Sequence, residues 1–146
     1  CEVAKGGKSP KLTVDNKANA VYVTLTGPKT YSFYAPGGKT SFDVEQGTYE
    51  VSYFACGAQI EDTIVVKKKG FTLKIQCFTL NITNASDGPM EFDFSGPGDY
   101  YFYLQPGKTS VLIHGGTYDL TIEATCGVAS GTIKIKKNLS WVIGCK

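Results

Sequence analysis

Five cysteines carry the chemistry that most constrains this chain, and four of them fall at two similar spacings, Cys56 with Cys77 and Cys126 with Cys145. Cysteine thiolates either bind zinc or oxidise to disulfides, and zinc sites favour CxxC pairs together with histidines. The chain has no CxxC pair and a single histidine, His114. We therefore predict two disulfides and no metal site.

The predicted disulfides indicate both a source of stability and a location. Closing a loop of about 20 residues stabilises a small domain by roughly 3 kcal/mol in the chain-entropy model. Disulfides persist in oxidising compartments, so we expect a secreted or cell-surface protein. The unpaired Cys1 indicates an intermolecular link or a modification. A sequence that starts at cysteine and continues with a polar tether resembles a mature bacterial lipoprotein, which would place a lipid on Cys1 and the protein at a membrane.

Candidate catalytic groups are few. His114 stands beside Gly115-Gly116 and is predicted to be a solvated turn residue, because the matching position of an internal repeat is Glu45. The acidic pair Glu91 and Asp93 lies on the polar face of a predicted strand, where a solvated surface explains it better than a glycosidase cleft. No GxSxG nucleophile motif is present. We expect no catalytic residue and no cofactor.

The charge pattern bears on partners. All fifteen basic residues are lysines, against thirteen acids, for a net charge of +2. Readers of nucleic acids rely on the bidentate arginine side chain, so its absence argues against a nucleic-acid partner. No apolar run approaches the roughly 20 residues of a membrane-spanning helix.

Outward-facing tyrosines are the strongest binding signal. Along 100–104, Tyr101 and Tyr103 alternate with residues predicted to face the core. In the first half of the chain, the candidate interface residues are Tyr34 and Tyr22. Exposed tyrosine suits stacking on sugar rings or burial at a protein interface. The alternative is that these tyrosines only cover the sheet surface and bind no partner.

Three asparagines match the N-glycosylation sequon: Asn81, Asn84 and Asn138. Asn81 falls within a predicted strand, so Asn84, at a predicted turn, is the best candidate acceptor.

These residues are positioned by a duplication. The segment 31–56 reappears as 100–126, with ten identities that include PGK-type turns and GTY strand starts. We predict an N-terminal tether at 1–10, a first domain at 11–77 and a second at 78–146. With only Phe78 and Thr79 between Cys77 and the next strand, the two domains are expected to form a stiff pair.

Each repeat shows the period-two alternation of half-buried strands, and no segment shows helical periodicity. We predict an all-β protein with two tandem seven-stranded antiparallel β-sandwiches, each with one disulfide, of either immunoglobulin-like or transthyretin-like topology. The alternation along 117–126 places Cys126 on the core face. Cys56 breaks the matching parity, which predicts a β-bulge there.

The turn-strand pattern, seen as 36–40 with 47–51 and as 106–109 with 115–120, resembles PEGA-like and carboxypeptidase-regulatory-like sandwich modules of bacterial surface lipoproteins. The resemblance implies an accessory, non-catalytic module of the cell envelope. We expect a structural protein that self-assembles into a filament or surface layer. The alternative is a lipid-anchored surface module that binds carbohydrate or another protein through its exposed tyrosines.

Overall fold

The computed structural model describes residues 10–145; Cys1 and the rest of the predicted tether lie outside this range. Within it the chain forms fourteen strands and no helix, which confirms the all-β class. The first seven are β1 (Lys11–Asn16), β2 (Val21–Thr26), β3 (Tyr31–Ala35), β4 (Gly38–Asp43), β5 (Gly47–Ala55), β6 (Ala58–Val66) and β7 (Phe71–Ile75). The others are β8 (Cys77–Asn84), β9 (Met90–Ser95), β10 (Asp99–Leu104), β11 (Gly107–His114), β12 (Gly116–Ala124), β13 (Gly127–Ile135) and β14 (Leu139–Ile143).

Contacts divide the described residues into two compact units. The first comprises 10–54 and Glu61–Ile75, and the second comprises Ala55–Ile60 and 76–145. The repeat predicted a boundary at Cys77. The contacts instead group the tip of the β5–β6 hairpin with the second unit.

The strand order is the same in both repeats. The first has a three-stranded sheet in the order β4-β1-β7 and a four-stranded sheet in the order β3-β2-β5-β6. The second repeats this as β11-β8-β14 and β10-β9-β12-β13.

One ladder in each repeat is parallel, so the prediction of wholly antiparallel sheets is wrong at that ladder. β1 runs parallel to β7, and β8 runs parallel to β14. The reason is the alternation of strand direction along the chain, which gives the first and seventh strands of a repeat the same direction. When they become neighbours they can pair only in parallel.

Alternating side chains build the core between the sheets. In β2 the residues Val21, Val23 and Leu25 are buried while their neighbours face outward. Across the sheets of the first unit, the rings of Phe33 and Phe42 stack with centroids 4.1 Å apart. Each unit therefore buries its apolar residues between two facing layers, as a sandwich does.

A buried asparagine ends the first strand of each repeat. Asn16 donates through Nδ2 to the carbonyl oxygen of Ala35 at 3.1 Å, and Asn84 donates to that of Leu104 at the same distance. Each amide oxygen also accepts a backbone N–H two residues further along. These bonds satisfy polar groups that would otherwise be buried without partners.

The disulfides Cys56–Cys77 and Cys126–Cys145 are both formed, with Cα atoms 5.4 Å and 5.9 Å apart. Cys126 lies in the β12–β13 turn and Cys145 follows β14, so this bond joins the two sheets of the second unit. Cys56 and Cys77 are also both grouped with the second unit. The predicted arrangement of one disulfide within each domain is therefore not what the contacts show.

The β-bulge predicted at Cys56 is wrong. Cys56 and Gly57 form a two-residue hairpin turn, with φ angles of 56° and 79°. Two successive positive φ values are typical of the type I′ turn that joins twisted strands. The two cysteines fall at different points of the strand alternation because Cys56 is the first residue of its turn, whereas Cys126 is the second residue of the corresponding turn. Cys126 is exposed there rather than on the core face.

Candidate binding surfaces

All four predicted interface tyrosines are exposed on the outer faces of the four-stranded sheets. The exposed fraction is 73% for Tyr22, 53% for Tyr34, 55% for Tyr101 and 53% for Tyr103. Inward positions of the same strands hold the core, so strand alternation accounts for the outward placement. These side chains are available to a partner in both units.

The first unit carries an aromatic face made of Tyr22, Tyr34 and Phe54. Tyr22 and Tyr34 are register partners on β2 and β3, with ring centroids 5.2 Å apart and planes tilted by 56°. Phe54, on β5, is 62% exposed. Sequence reasoning missed Phe54, although its position next to the buried Tyr53 signals an outward side chain.

The second unit presents an acidic version of this surface. Tyr101 donates its phenolic proton to Glu91 Oε1 at 2.7 Å. This hydrogen bond is the main reason that the pKa of Tyr101 is raised to about 12, and the negative charges of Glu91 and Asp93 add to it. In the repeat, Glu91 stands where the first unit has Tyr22. The two faces therefore differ in chemistry despite sharing a fold.

His114 is buried, with 7% of its surface exposed, so the prediction of a solvated turn residue is wrong. Its backbone N–H donates to the Tyr100 hydroxyl at 3.0 Å, and its carbonyl accepts from the Tyr118 hydroxyl at 2.6 Å. Its ring Nδ1 lies 2.6 Å from the Gly115 carbonyl oxygen. Since a carbonyl oxygen only accepts, Nδ1 carries the proton of that bond.

The same backbone arrangement is duplicated in the first unit. Glu45 N–H donates to the Tyr31 hydroxyl at 3.0 Å, and the Glu45 carbonyl accepts from Tyr49 at 2.8 Å. The position occupied by His114 and Glu45 thus anchors two tyrosines through its backbone. This role is independent of the side chain, which explains why the two repeats tolerate different residues there.

The acidic pairs stay at the surface. Glu61, Asp62, Glu91 and Asp93 are all exposed, and Asp62 accepts the N–H of Thr63. Among residues 10–145, no group of three or more histidine, cysteine or acidic side chains is close enough to hold a metal ion. The described part of the chain also contains no helix that could span a membrane.

Residues Ala55–Ile60, at the end of the β5–β6 hairpin, are called the first tip. The first tip packs on residues 96–100 of the second unit, which are called the receiving turn. Tyr100 donates to the carbonyl oxygen of Cys56 at 2.9 Å. A Cβ added to Gly98 would lie 2.8 Å from Ile60 Cδ1 and 3.3 Å from Ala58 Cβ. A larger residue at 98 would therefore force the Ile60 side chain to shift. Burial in this contact raises the pKa of Tyr100.

An apolar groove of about 430 Å³ opens along β12, β13 and β14 of the second unit. Five half-buried apolar residues line it, Leu120, Ile122, Ile133, Trp141 and Ile143, together with the exposed Ser140 and Val142. The corresponding residues of the first repeat are all buried: Val51, Tyr53, Ile64, Leu73 and Ile75. The second unit thus leaves open an apolar surface that the first closes.

The sequon asparagines differ in accessibility. Asn84 is only 3% exposed and uses its amide nitrogen to hold Gly88 and Leu104, which contradicts its choice as the best glycan acceptor. Asn81 and Asn138 are exposed. Their amide oxygens accept hydrogen bonds from Ser110 and from the Thr79 N–H respectively.

No family model matches the chain, and no curated protein matches it. Among solved structures, the chain is similar to that of a candidate adhesin from Bacteroides ovatus, at 7% identity and a TM-score of 0.32. The likeness covers 97% of this chain and 94% of that one. Likeness at this level assigns neither a family nor a function.

Proposed function

We propose that this protein is a non-enzymatic structural protein of the cell surface or extracellular space that assembles with copies of itself into a filament or surface layer. The observation that carries the proposal is the groove around Trp141 in the second unit. The first repeat buries the counterparts of the five half-buried lining residues, so the second has apolar surface ready for a partner. Burying such surface is the main driving force of protein association.

The buried polar side chains support a structural role. Three are found among the described residues: Asn16, Asn84 and His114. The two asparagines form hydrogen bonds to backbone groups at the ends of strands, and the backbone of His114 forms hydrogen bonds with two tyrosine hydroxyls. Polar groups placed in this way rigidify a scaffold rather than create a reactive cleft.

The disulfides support the proposed location. Two formed disulfides support an oxidising compartment, such as the cell exterior.

We further propose that each repeat has the transthyretin-like topology. In the immunoglobulin order the first strand is grouped with the second, fifth and fourth strands. Here the first strand lies between the fourth and the seventh, while the second pairs with the third and fifth. This order supports the resemblance to carboxypeptidase-regulatory-like modules.

Sedimentation velocity over a wide concentration range, combined with negative-stain electron microscopy, tests the proposed assembly. We expect species larger than the 15.7 kDa chain that grow with concentration. A particle that stays monomeric up to about millimolar concentration, well above the range of weak specific association, overturns the proposal.

A second candidate function, carbohydrate binding, is favoured by the paired rings of Tyr22 and Tyr34. Aromatic faces of this kind stack on sugar rings. A glycan array should then show binding that is lost in Tyr22→Ala and in Tyr34→Ala and kept in Thr24→Ala, a change on the same strand as Tyr22. Absence of binding by the wild-type protein rejects this candidate.

A further inference from the structure

We propose that the copies join head to tail, with a second tip of one chain seated on an open turn of the next. The second tip is residues 124–129 of the β12–β13 hairpin, and the open turn is residues 27–31 between β2 and β3. This inference rests on the proposed self-assembly and names the surfaces that would carry it.

The second unit already contains one such contact. There the first tip lies on the receiving turn, and Ala58, Ile60 and Gly98 are buried by it. The Tyr100 hydroxyl fixes the register through its bond to the Cys56 carbonyl. The contact therefore combines apolar packing with one oriented hydrogen bond.

Both halves of this contact are present a second time, and both are uncovered. In the open turn, 27–30 is exposed and Tyr31 is half-buried, whereas Tyr100, the counterpart of Tyr31, is buried. In the second tip, 125–129 is exposed, with Val128 at 68%. The chain thus carries a second hairpin tip and a second turn at the positions that match the formed contact, and both are exposed.

The residue sizes at the two contacts are compensated. In the formed contact Ala58 and Ile60 press against Gly98, which has no side chain. At the corresponding positions the open turn has Lys29, and the second tip has Gly127 and Ala129. In the formed contact the large side chain, Ile60, belongs to the tip, whereas in the proposed contact the large side chain, Lys29, belongs to the turn. A close approach remains feasible because the combined volume is preserved.

The hydrogen-bonding group is also conserved between the repeats. Tyr31 accepts the N–H of Glu45 at 3.0 Å, as Tyr100 accepts the N–H of His114 at the same distance. Its hydroxyl is therefore held at the position from which Tyr100 donates to the tip. In the assembled form it would donate to the carbonyl oxygen of Thr125, which matches Cys56 as the first residue of its turn.

The groove supports the same geometry. Ile122, in its lining, precedes the second tip on β12. The second tip therefore adjoins one end of the groove. Since tip and turn are different surfaces, the contact is heterologous, and repeated use gives an open filament unless the rotation closes a ring.

The test uses two variants of the full chain, one for each surface. Ala129→Lys places a charge in the second tip, and Lys29→Trp places bulk in the open turn; both sites are exposed, so folding is retained. Each variant alone should associate about tenfold or more weakly than the wild type, because an unpaired charge or excess bulk would be buried in the contact. Mixed in equal amounts, the two should form a discrete dimer, since each keeps one intact surface. Thr132→Lys, exposed on the same strand outside the tip, is the matched control and should assemble normally.

Sedimentation velocity separates the outcomes. If the wild type assembles while Ala129→Lys assembles equally well, or if the mixture gives no dimer, the tip-to-turn contact is rejected and self-assembly stands. If the wild type remains monomeric throughout, both the contact and the proposed function are rejected. A dimer found only in the mixture supports the contact specifically.

Discussion

The Tyr100 hydroxyl lies 2.9 Å from the carbonyl oxygen of Cys56 and donates to it, while accepting the N–H of His114 at 3.0 Å. One phenol thus joins a hairpin turn, a strand end and a third strand inside the second unit. Its counterpart Tyr31 keeps the acceptor role at the Glu45 N–H. The difference in burial between these two tyrosines is the basis of the proposed tip-to-turn contact.

The substitution Tyr100→Phe should destabilise the protein by about 1–3 kcal/mol, because it leaves a buried carbonyl and a buried N–H without their partner. Urea unfolding followed by tyrosine and tryptophan fluorescence measures this change. Tyr101→Phe, at the adjacent exposed position, is the control and should stay within about 0.5 kcal/mol of the wild type. Equal stability of Tyr100→Phe and the wild type would contradict the assigned role of the phenol.

Stability should fall as the pH rises above about 10, the ordinary pKa of tyrosine. Burial raises the pKa of both Tyr49 and Tyr100 in the folded protein. In that range the folded state holds protons that the unfolded chain has lost, so the free energy of unfolding decreases with pH. Below about pH 9 both states keep these protons, and no such dependence arises from them. Urea titrations at a series of pH values test this, and Tyr100→Phe should show a shallower decline.

The Tyr101 phenol should ionise at about pH 12, well after an ordinary tyrosine. Glu91→Gln should lower this pKa towards 10, since it removes both the charged acceptor and the repulsion of the phenolate by Glu91. Ultraviolet difference titration of wild type and variant reports the ionisation. Glu61→Gln, a neutralisation of an exposed carboxylate on β6, should leave it unchanged. An unaltered titration in Glu91→Gln would show that the hydrogen bond does not set the pKa.

Asn84→Ala should cost about 1–3 kcal/mol, because the carbonyl of Leu104 loses a buried donor. Asn19→Ala, at an exposed position, provides the comparison and should be close to neutral. Thermal unfolding by circular dichroism measures both. Glycan mapping of protein made in a glycosylating host should find Asn84 unoccupied; a glycan there would contradict its burial.

Much of the fold was predictable, because strand alternation and the duplication are both properties of the sequence. Outward placement of Tyr22 and Tyr101 followed from period-two patterning, and Phe54 follows from the same rule. The cysteine pairing followed from the repeat and the absence of metal-type spacings.

The missed features depend on contacts between distant residues. The burial of His114 is set by packing on Tyr100 and Tyr118, which its Gly-Gly neighbours did not signal. The parallel ladder of β1 with β7 is a property of strand order rather than of either strand. The sequence predicted a bulge at Cys56 because the cysteine occupies a different turn position in each repeat. Only the pairing of the flanking strands shows this difference.

Sedimentation velocity of the wild-type chain over increasing concentration is the most direct test of self-assembly. We expect a weight-average mass that climbs continuously above 15.7 kDa and includes dimers and longer species. A mass fixed at the single-chain value across the whole range would contradict it.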